Sequence, residues 1–454
     1  MAYYPHTDQD RAQMLSAIGV DSLDALFTAI PEDYRFPALN LPPGASELEV
    51  LRELHAASSF NAGADQYATF LGAGAYHHFI PSVVNYIIQR GEFLTSYTPY
   101  QPEVSQGTLQ AVYEFQSMIC ALLGMEAANA SHYDGGTSLA EAVTMAFEVA
   151  RGKRRKVILS PGIHPQYREV ARTYHQHRDL KIVGDRGNAT LPDLVDMIDE
   201  QTMLIAVQYP DFFGRIEDYS ALIKTAHEHG ALVCFVTDRW PAPDQTPRPP
   251  GRRYCGGEGQ SLGIPMSFGG PYLGFFATRL AHVRKIAGRI VGETQDTDGR
   301  RAFVMTLRPR EQDIRRDKAT SNICTNQGLM ALAASIYLAA LGKHGLRRVA
   351  ELIWHKSHYA AAEIAKLPGF SVDQEKPFFR EFVVSCPRPV KEMNVRLFKE
   401  FGVIGGYDLG RDFPARANEM LVCVTEMNTR AEIDAFVNAL QTITAPASGS
   451  EAAR

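Results

Sequence analysis

The chain has 454 residues, of which 45% are hydrophobic and 21% charged, and its formal net charge at pH 7 is −5. This length provides for about two or three domains with a well-buried core, in a composition ordinary for a soluble globular protein. The negative balance argues against nucleic acid as the main ligand, because phosphate binding needs a basic face. The six cysteines form no CxxC pair, which favours a reduced cytoplasmic protein.

The N-terminal sequence lacks the basic and apolar regions of a signal peptide. The longest apolar run, Leu329 to Leu341, is shorter than a membrane span and is predicted to be a buried helix. We therefore expect a cytoplasmic protein that does not insert into a membrane.

Residues 1–60 are predicted to form a helical, amphipathic arm. Ser46 and Glu49 have the spacing of a capping box for a helix that runs to about Ser59. Four prolines before this helix indicate an extended connector. Such an arm has little core of its own, so we expect it to pack on another part of the protein or on a second subunit.

Strand and helix patterns alternate from Arg155 onward, which predicts a mostly parallel sheet covered on both faces. The predicted strands are 156–160, 180–185, 203–209, 231–238 and 272–278. We assign this large α/β domain to residues 61–325. Ligands of such sheets bind at the carboxyl ends of the strands, so Asp185, residues 210–214 and Asp238 are predicted to lie on the functional rim.

A smaller α+β domain is predicted over residues 326–442. Its predicted strands and helices are 381–386, 391–401, 420–426 and 430–442. The polar residues 443–454 are predicted to be a disordered tail.

The segment YDGGTSLAEA (133–142) has the pattern of a turn followed by the start of a helix. Ser138 and Glu141 are spaced as a capping box, and Gly135 and Gly136 allow a ligand to approach the backbone closely. Free amides at such a helix N-terminus bind phosphate. The alternative is an ordinary capped helix without a ligand.

Asp238 and the segment EGQSLGIPMSFGGPYLGFFAT (258–278) follow in the order found in enzymes that use pyridoxal phosphate (PLP). An acid in the position of Asp238 would pair with the pyridine nitrogen, and a lysine before the Gly-Gly-Pro turn would hold the cofactor as a Schiff base. Here Gln260 and Ser261 stand in that neighbourhood, and neither side chain can form an imine. The chain is then either no PLP enzyme or a relative that has lost the chemistry.

Lys318, in RRDKATSN (315–322), is the best alternative candidate for an imine. It lies among arginines and acids at an unusual distance from Asp238, so we expect an anion-facing or interface role for it instead. The histidine pairs lack the spacing of a metal site, and no metal is predicted.

Several long segments resemble the P-protein family of the glycine cleavage system, in particular subunit 1, the α half, of its two-subunit glycine dehydrogenase (decarboxylating). They are IPEDYR (30–35), TSYTPYQPEVSQGTLQAVYEFQ (95–116), GEGQSLGIPMSFGGPYLGFFA (257–277), VGETQDTDGRRAFVMTLRPREQDIRRDKATSNICTNQ (291–327) and IYLAALGKHGL (336–346). The likeness extends from about residue 5 to residue 440.

The resemblance implies a PLP-dependent transferase-like fold of the aspartate aminotransferase class, in which the Schiff-base lysine position holds Gln260. It implies that PLP lies on a lysine-bearing subunit 2, in an α2β2 assembly that decarboxylates glycine and transfers the aminomethyl group to the lipoyl arm of the H protein. No residue of this chain is then expected to be catalytic. The residues of a vestigial cofactor pocket would be Gly136, Thr137, Ser138 and Asp238. The residues expected beside the partner's site are Tyr97, Thr98, Tyr100, Gln101, Glu103, Asn322, Thr325 and Asn326.

The sequence departs from the family pattern at two places. Asp211 replaces the usual asparagine and adds a charge at the predicted rim, and the segment 248–259 is a few residues short. Two alternatives to the subunit hypothesis remain at this point: a free-standing PLP enzyme that uses Lys318, and a scaffold or regulatory protein without activity.

Overall fold

The computed structural model describes residues 5–94, 96–187, 189–238, 254–324, 327–373 and 376–445. The chain forms two compact units, Met1–Ala62 and Gly63–Arg454. The helices are α1 Asp8–Ile18, α2 Glu47–Ser58, α3 Ser82–Ile88, α4 Gly91–Leu94, α5 Gln106–Leu123, α6 Gly135–Val149, α7 Pro165–His175, α8 Leu191–Asp196, α9 Ser220–Glu228, α10 Gln312–Arg315, α11 Gly328–Ile364, α12 Val390–Phe401 and α13 Arg430–Thr444. The strands are β1 Ala68–Thr69, β2 Ala127–Ala128, β3 Lys156–Leu159, β4 Lys181–Val183, β5 Thr202–Gln208, β6 Leu232–Thr237, β7 Tyr254–Glu258, β8 Gly274–Thr278, β9 Ile290–Gln295, β10 Arg301–Thr306, β11 Ser371–Val372, β12 Glu381–Ser385, β13 Val403–Ile404, β14 Tyr407–Asp408 and β15 Glu419–Cys423.

Some predictions lie outside the described residues. They concern Thr325, Asn326, part of the shortened segment (248–253) and most of the predicted tail (446–454).

The first unit contains α1 and α2, and no residue of either helix is buried. The predicted capping box of α2 is confirmed: the Ser46 backbone N–H donates to Glu49 over 2.7 Å, and the Glu49 backbone N–H donates to the Ser46 hydroxyl over 3.4 Å. Capping satisfies the amides that the first turn of a helix leaves without partners. Leu48, Leu51 and Leu54 of this helix are exposed.

The main sheet of the second unit has seven strands in the order β2-β8-β7-β6-β5-β3-β4. The pairs from β7 to β4 are parallel, and β8 and β2 join antiparallel at one edge. Every residue of β6 is buried, as expected for an apolar central strand covered by helices on both faces. The strands predicted from the alternating pattern are all present, so the predicted α/β class is confirmed.

Helix α11 connects the large core to the second core. Ala331 and Tyr337 near its start pack in the large core, Ile364 at its end packs in the second, and Gly342 interrupts it with φ 58°. Among the described residues it is the one helix long and apolar enough to cross a membrane, a test that core helices of soluble proteins also pass. Its buried residues give it a place in the core, as predicted for the run from Leu329 to Leu341.

The second core lies on an antiparallel sheet in the order β11-β12-β15-β14, with α12 and α13 packed on it. Phe70 is fully buried there, and its ring stacks on Phe436 with centroids 4.1 Å apart. The strand before it, β1, pairs with β13. Residues 68–70 therefore contact the second core, and the predicted domain boundaries stay a prediction.

Candidate functional site

Helix α6 begins at the carboxyl edge of the main sheet, and Asp134 caps it. The Asp134 carboxylate accepts from the Thr137 N–H over 2.7 Å, and Thr137 Oγ1 accepts from the Asp134 N–H over 3.0 Å. The predicted capping box of Ser138 and Glu141 is wrong, because both residues lie inside the helix. Ser138 instead donates its hydroxyl to the Asp134 carbonyl.

Glu258, at the end of β7, covers the start of this helix. Its two carboxyl oxygens accept three backbone N–H groups, from Gly135 (2.9 Å), Gln260 (3.0 Å) and Leu273 (3.1 Å). The side chain is buried, and burial raises the pKa of its carboxyl group to about 8 against the opposing effect of the three donors. The Gly135 amide is therefore already bonded to a side chain of the chain itself.

Gln260, in the predicted Schiff-base position, is 1% exposed and fully hydrogen-bonded. Its Oε1 accepts from the Tyr76 N–H over 2.9 Å. Its Nε2 donates to the carbonyls of Tyr76 (3.0 Å) and Ile264 (2.7 Å). The amide thus fastens residues 258–264 to the segment that contains Tyr76.

Asp238 follows the last residue of β6 and forms an ion pair with Arg380, which precedes β12 of the small domain. The Arg380 side chain is 4% exposed and that of Asp238 is 20% exposed. The Arg380 guanidinium carbon also lies 3.2 Å from the centroid of the Tyr76 ring, close enough for a cation–π interaction.

A hydrogen-bonded chain continues from Arg380 through His78 to Glu426. Arg380 Nη1 lies 3.2 Å from His78 Nε2, and His78 Nδ1 lies 2.8 Å from Glu426 Oε2. Since a guanidinium can only donate, His78 accepts at Nε2 and carries its proton on Nδ1. Burial lowers the pKa of His78, which agrees with this neutral form. The Tyr76 hydroxyl donates to Glu381 over 2.8 Å.

A cavity of about 20 Å³ lies beside Asp238 and Glu258. Its lining residues include Tyr76, Tyr167, Asp238 and Glu258. A cavity of this size holds about one water molecule, whereas cofactor pockets measure roughly 300–1,000 Å³. PLP therefore does not fit the described residues. The Schiff-base lysine is absent, and the cavity volume is too small. The Gly135 N–H is already bonded to Glu258, and Asp238 is already paired with Arg380.

The structure gives no support to Lys318 as an alternative imine residue. Lys318 is exposed at the end of a short 3-10 turn and does not line this cavity. The described part of the chain also contains no group of three or more potential metal ligands.

The loop from Tyr97 and the segment before α11 come together in a second cluster, which we call the aromatic–arginine cluster: Tyr97, Tyr100, Tyr133, Arg289, Arg308 and Cys324. The Tyr133 hydroxyl accepts from the Cys324 N–H over 3.0 Å and donates to its carbonyl over 2.8 Å. The Tyr97 hydroxyl lies 3.6 Å from Cys324 Sγ. Tyr133 precedes Asp134, so this cluster is directly connected to the cap of α6.

Two arginines of the cluster lie near the Tyr100 ring. The guanidinium carbons of Arg289 and Arg308 lie 5.9 and 5.2 Å from its centroid. Tyr100 is 48% exposed and Tyr97 is 67% exposed, so the cluster presents two tyrosines at the surface. The arginine side chains are more covered, at 17% exposure for Arg289 and 35% for Arg308, and they pair with Glu311 and Asp313. The hairpin of β9 and β10 holds this loop, since the Gln106 side chain pairs with both backbone groups of Phe303 over 2.8–2.9 Å.

The other residues that were predicted to face the partner are neighbours of the cluster residues in the sequence. Gln101, Glu103 and Asn322 are exposed, and Thr98 is partly buried. The predicted rim residues Asp185 and Asp211 are buried rather than open to a ligand. Asp185 is bonded to Arg172 and Asp211 to Arg215, so the extra charge of Asp211 is paired.

Sequence reasoning missed Glu258, Arg380, Tyr76, Tyr133 and Arg289. For two of these residues the sequence contained a signal that could have identified them. Glu258 lies two residues before the absent lysine, and Arg380 lies in the largely apolar segment PFFREFVV (377–384), where a charge needs a buried partner. Their partners come from distant parts of the chain, so no local pattern indicates them.

The family model described as "Glycine cleavage system P-protein" matches residues 1–440. The chain belongs to this family. It is 52% identical over 452 residues to the "Probable glycine dehydrogenase (decarboxylating) subunit 1" of Thermomicrobium roseum, covering 98% of this chain and 100% of that protein. A protein of the same name from Geobacillus kaustophilus is 50% identical, covering 96% of this chain and 98% of that protein.

Solved structures agree with this assignment. A crystal structure of the glycine decarboxylase P-protein in inhibitor-bound form is 41% identical, with a TM-score of 0.87, covering 98% of this chain and 100% of that chain. The sphingosine-1-phosphate lyase of Burkholderia pseudomallei K96243 is 17% identical with a TM-score of 0.63, covering 91% and 94%, and shows the fold alone. The predicted PLP-dependent transferase-like fold is thus confirmed for this P-protein chain.

Proposed function

We propose that this P-protein chain is subunit 1 of glycine dehydrogenase (decarboxylating) and contributes to a complex without carrying PLP itself. In the proposed complex a lysine-bearing subunit 2 supplies PLP. The complex decarboxylates glycine and transfers the aminomethyl group to the lipoyl arm of the H protein. We expect an α2β2 assembly.

The observation that carries the proposal is the fully bonded Gln260 in the lysine position of a chain that matches subunit 1 over nearly its whole length. A cavity of only about 20 Å³ supports it, because a cofactor needs far more room. The contribution of this chain to the reaction is then positioning and exclusion of water at the partner's site.

The aromatic–arginine cluster is the best-supported surface for that contribution. Tyr97 and Tyr100 are exposed on a loop fixed by Gln106. The guanidinium groups of Arg289 and Arg308 lie beside Tyr100, and each is also paired with an acid, Glu311 or Asp313. Such a set can bind a carboxylate or phosphate of a neighbouring site, since guanidinium and phenol groups donate to anions. We propose that Gln101, Glu103, Asn322, Thr325 and Asn326 extend this surface.

Reconstitution tests the assignment. The purified chain alone should show no exchange of glycine carboxyl carbon with bicarbonate, and activity should appear when a lysine-bearing subunit 2 and lipoylated H protein are added. Turnover by the isolated chain would contradict the proposal, and so would an inactive mixture in which the two subunits co-purify.

Single substitutions test the surface. Tyr100→Phe and Asn322→Ala should each lower exchange activity of the complex by about tenfold, the effect of losing about 1.4 kcal/mol of interaction in the transition state. Tyr174→Phe is the matched control, because Tyr174 is 45% exposed on α7. If both variants assemble and keep the activity of the control, the cluster is not part of the site.

A cytoplasmic location is part of this proposal. The expectation rests on a composition that is ordinary for a soluble globular protein and on the burial of α11 residues in the core. Fractionation of cells that produce the chain with its partner checks it, and recovery in the membrane fraction would contradict it.

A further inference from the structure

We propose that Glu258, Arg380 and Gln260 are permanent internal ligands of the pocket, each taking over one anchoring contact that PLP makes in this fold. Glu258 replaces the phosphate at the start of α6, Arg380 replaces the pyridinium opposite Asp238, and Gln260 replaces the lysine. The proposal stands on contacts within this chain and does not depend on which partner it binds.

The first replacement is at the N-terminus of α6. A phosphate in such a place accepts backbone N–H groups of the first helical turn. Here the Gly135 N–H already donates to Glu258 Oε2, and Leu273 and Gln260 donate to Oε1. Removing the side chain would free all three donors at once and open space beside them, since Glu258 also lines the small cavity.

The second replacement concerns Asp238. An acid in this place pairs with a protonated pyridine nitrogen in PLP enzymes. The guanidinium of Arg380 is also a planar cation, and it lies 3.2 Å from the Tyr76 ring centroid while it pairs with Asp238. Arg380 thus supplies both the positive charge and the flat surface that the cofactor ring would supply.

The third replacement makes the pocket rigid as well as inert. The Gln260 amide bonds one N–H and two carbonyls of buried backbone. A lysine in its place could donate to the carbonyls but could not accept the buried Tyr76 N–H. The substitution Gln260→Lys alone would therefore leave the Tyr76 N–H without an acceptor, and Glu258 and Arg380 would keep their present contacts.

The main test removes the Glu258 side chain, which frees the Gly135 N–H at the start of α6. Calorimetric titration of Glu258→Ala should show binding of inorganic phosphate at least tenfold tighter than to the wild-type chain. The same variant should bind PLP tighter than pyridoxal, which lacks the phosphate. Glu148→Ala, which removes a carboxylate from the last turn of the same helix, is the control and should behave as wild type. A folded Glu258→Ala chain that binds phosphate no tighter than wild type would overturn the proposal, as would a wild-type chain that prefers PLP to pyridoxal.

A second variant keeps the test decisive if Glu258→Ala does not fold. Arg380→Ala should be stabilised by millimolar methylguanidinium, seen as a rise in melting temperature. The double variant Arg380→Ala with Asp238→Asn should lose this effect, because the added cation has no charge to pair with. Arg347→Ala is the control, since Arg347 is exposed and pairs with Glu351 on α11. No rise for Arg380→Ala beyond that of the control would refute the role of Arg380.

Discussion

Replacing Arg380 by methionine tests whether the buried charge network holds the two domains of the second unit together. Methionine fills a similar volume and removes only the charge and the hydrogen bonds. Asp238 would lose its ion-pair partner and His78 the donor at its Nε2. Tyr76 would also lose the cation above its ring.

The expected loss follows from the burial of the two charges. Breaking a buried ion pair by removing one partner costs about 3–5 kcal/mol, because the remaining charge stays without compensation. The Asp238 side chain is 20% exposed, so water relieves part of its cost and we expect about 3 kcal/mol. Arg301→Met is the control: this arginine is 59% exposed and its pair with Glu293 is worth about 0–1 kcal/mol.

Urea unfolding followed by circular dichroism measures these differences. With a slope of about 3 kcal/mol per molar urea, the midpoint of Arg380→Met should fall by about 1 M. Adding Asp238→Asn should recover at least about 1 kcal/mol, because the two groups are directly coupled. A loss equal to that of Arg301→Met, or no recovery in the double variant, would refute the reasoning.

Three further predictions concern the pocket and the arm. Burial raises the pKa of Glu258 from 4.5 to about 8, so the folded chain holds a proton that the unfolded chain releases. The free energy of unfolding should therefore fall as pH rises from 4.5 to 8, by up to about 1.4 kcal/mol per pH unit, and Glu258→Gln should remove that part of the slope in urea titrations at several pH values. Asp134→Ala should lower the free energy of unfolding by about 1 kcal/mol through loss of the α6 cap, whereas Ser138→Ala should change it less; equal losses would contradict the observed capping. Deleting residues 5–60 should leave the circular dichroism of the second unit intact, and partner binding, measured by sedimentation, should weaken if the exposed Leu48, Leu51 and Leu54 pack on another subunit.

Much of the architecture follows from the sequence because its signals are local. Alternating apolar runs between residues 156 and 278 define strands of the main sheet, and Ser46 and Glu49 define the start of α2. The sequence likewise shows directly that the Schiff-base position holds glutamine, Gln260, and not lysine. The local signal misleads at Ser138 and Glu141, which have the spacing of a capping box although the chain begins α6 at Gly135 with Asp134 as its cap.

What fills the pocket is decided by tertiary structure. Glu258 meets Gly135, Asp238 meets Arg380, and Gln260 meets Tyr76 across more than a hundred residues of chain. Buried donors and charges need partners, but the sequence does not indicate which distant side chain provides each partner. The sequence by itself thus determined the fold class, the family resemblance and the missing lysine. Only tertiary packing brought Glu258 to Gly135 and Gln260 to Tyr76 within the large domain, and Arg380 of the small domain to Asp238.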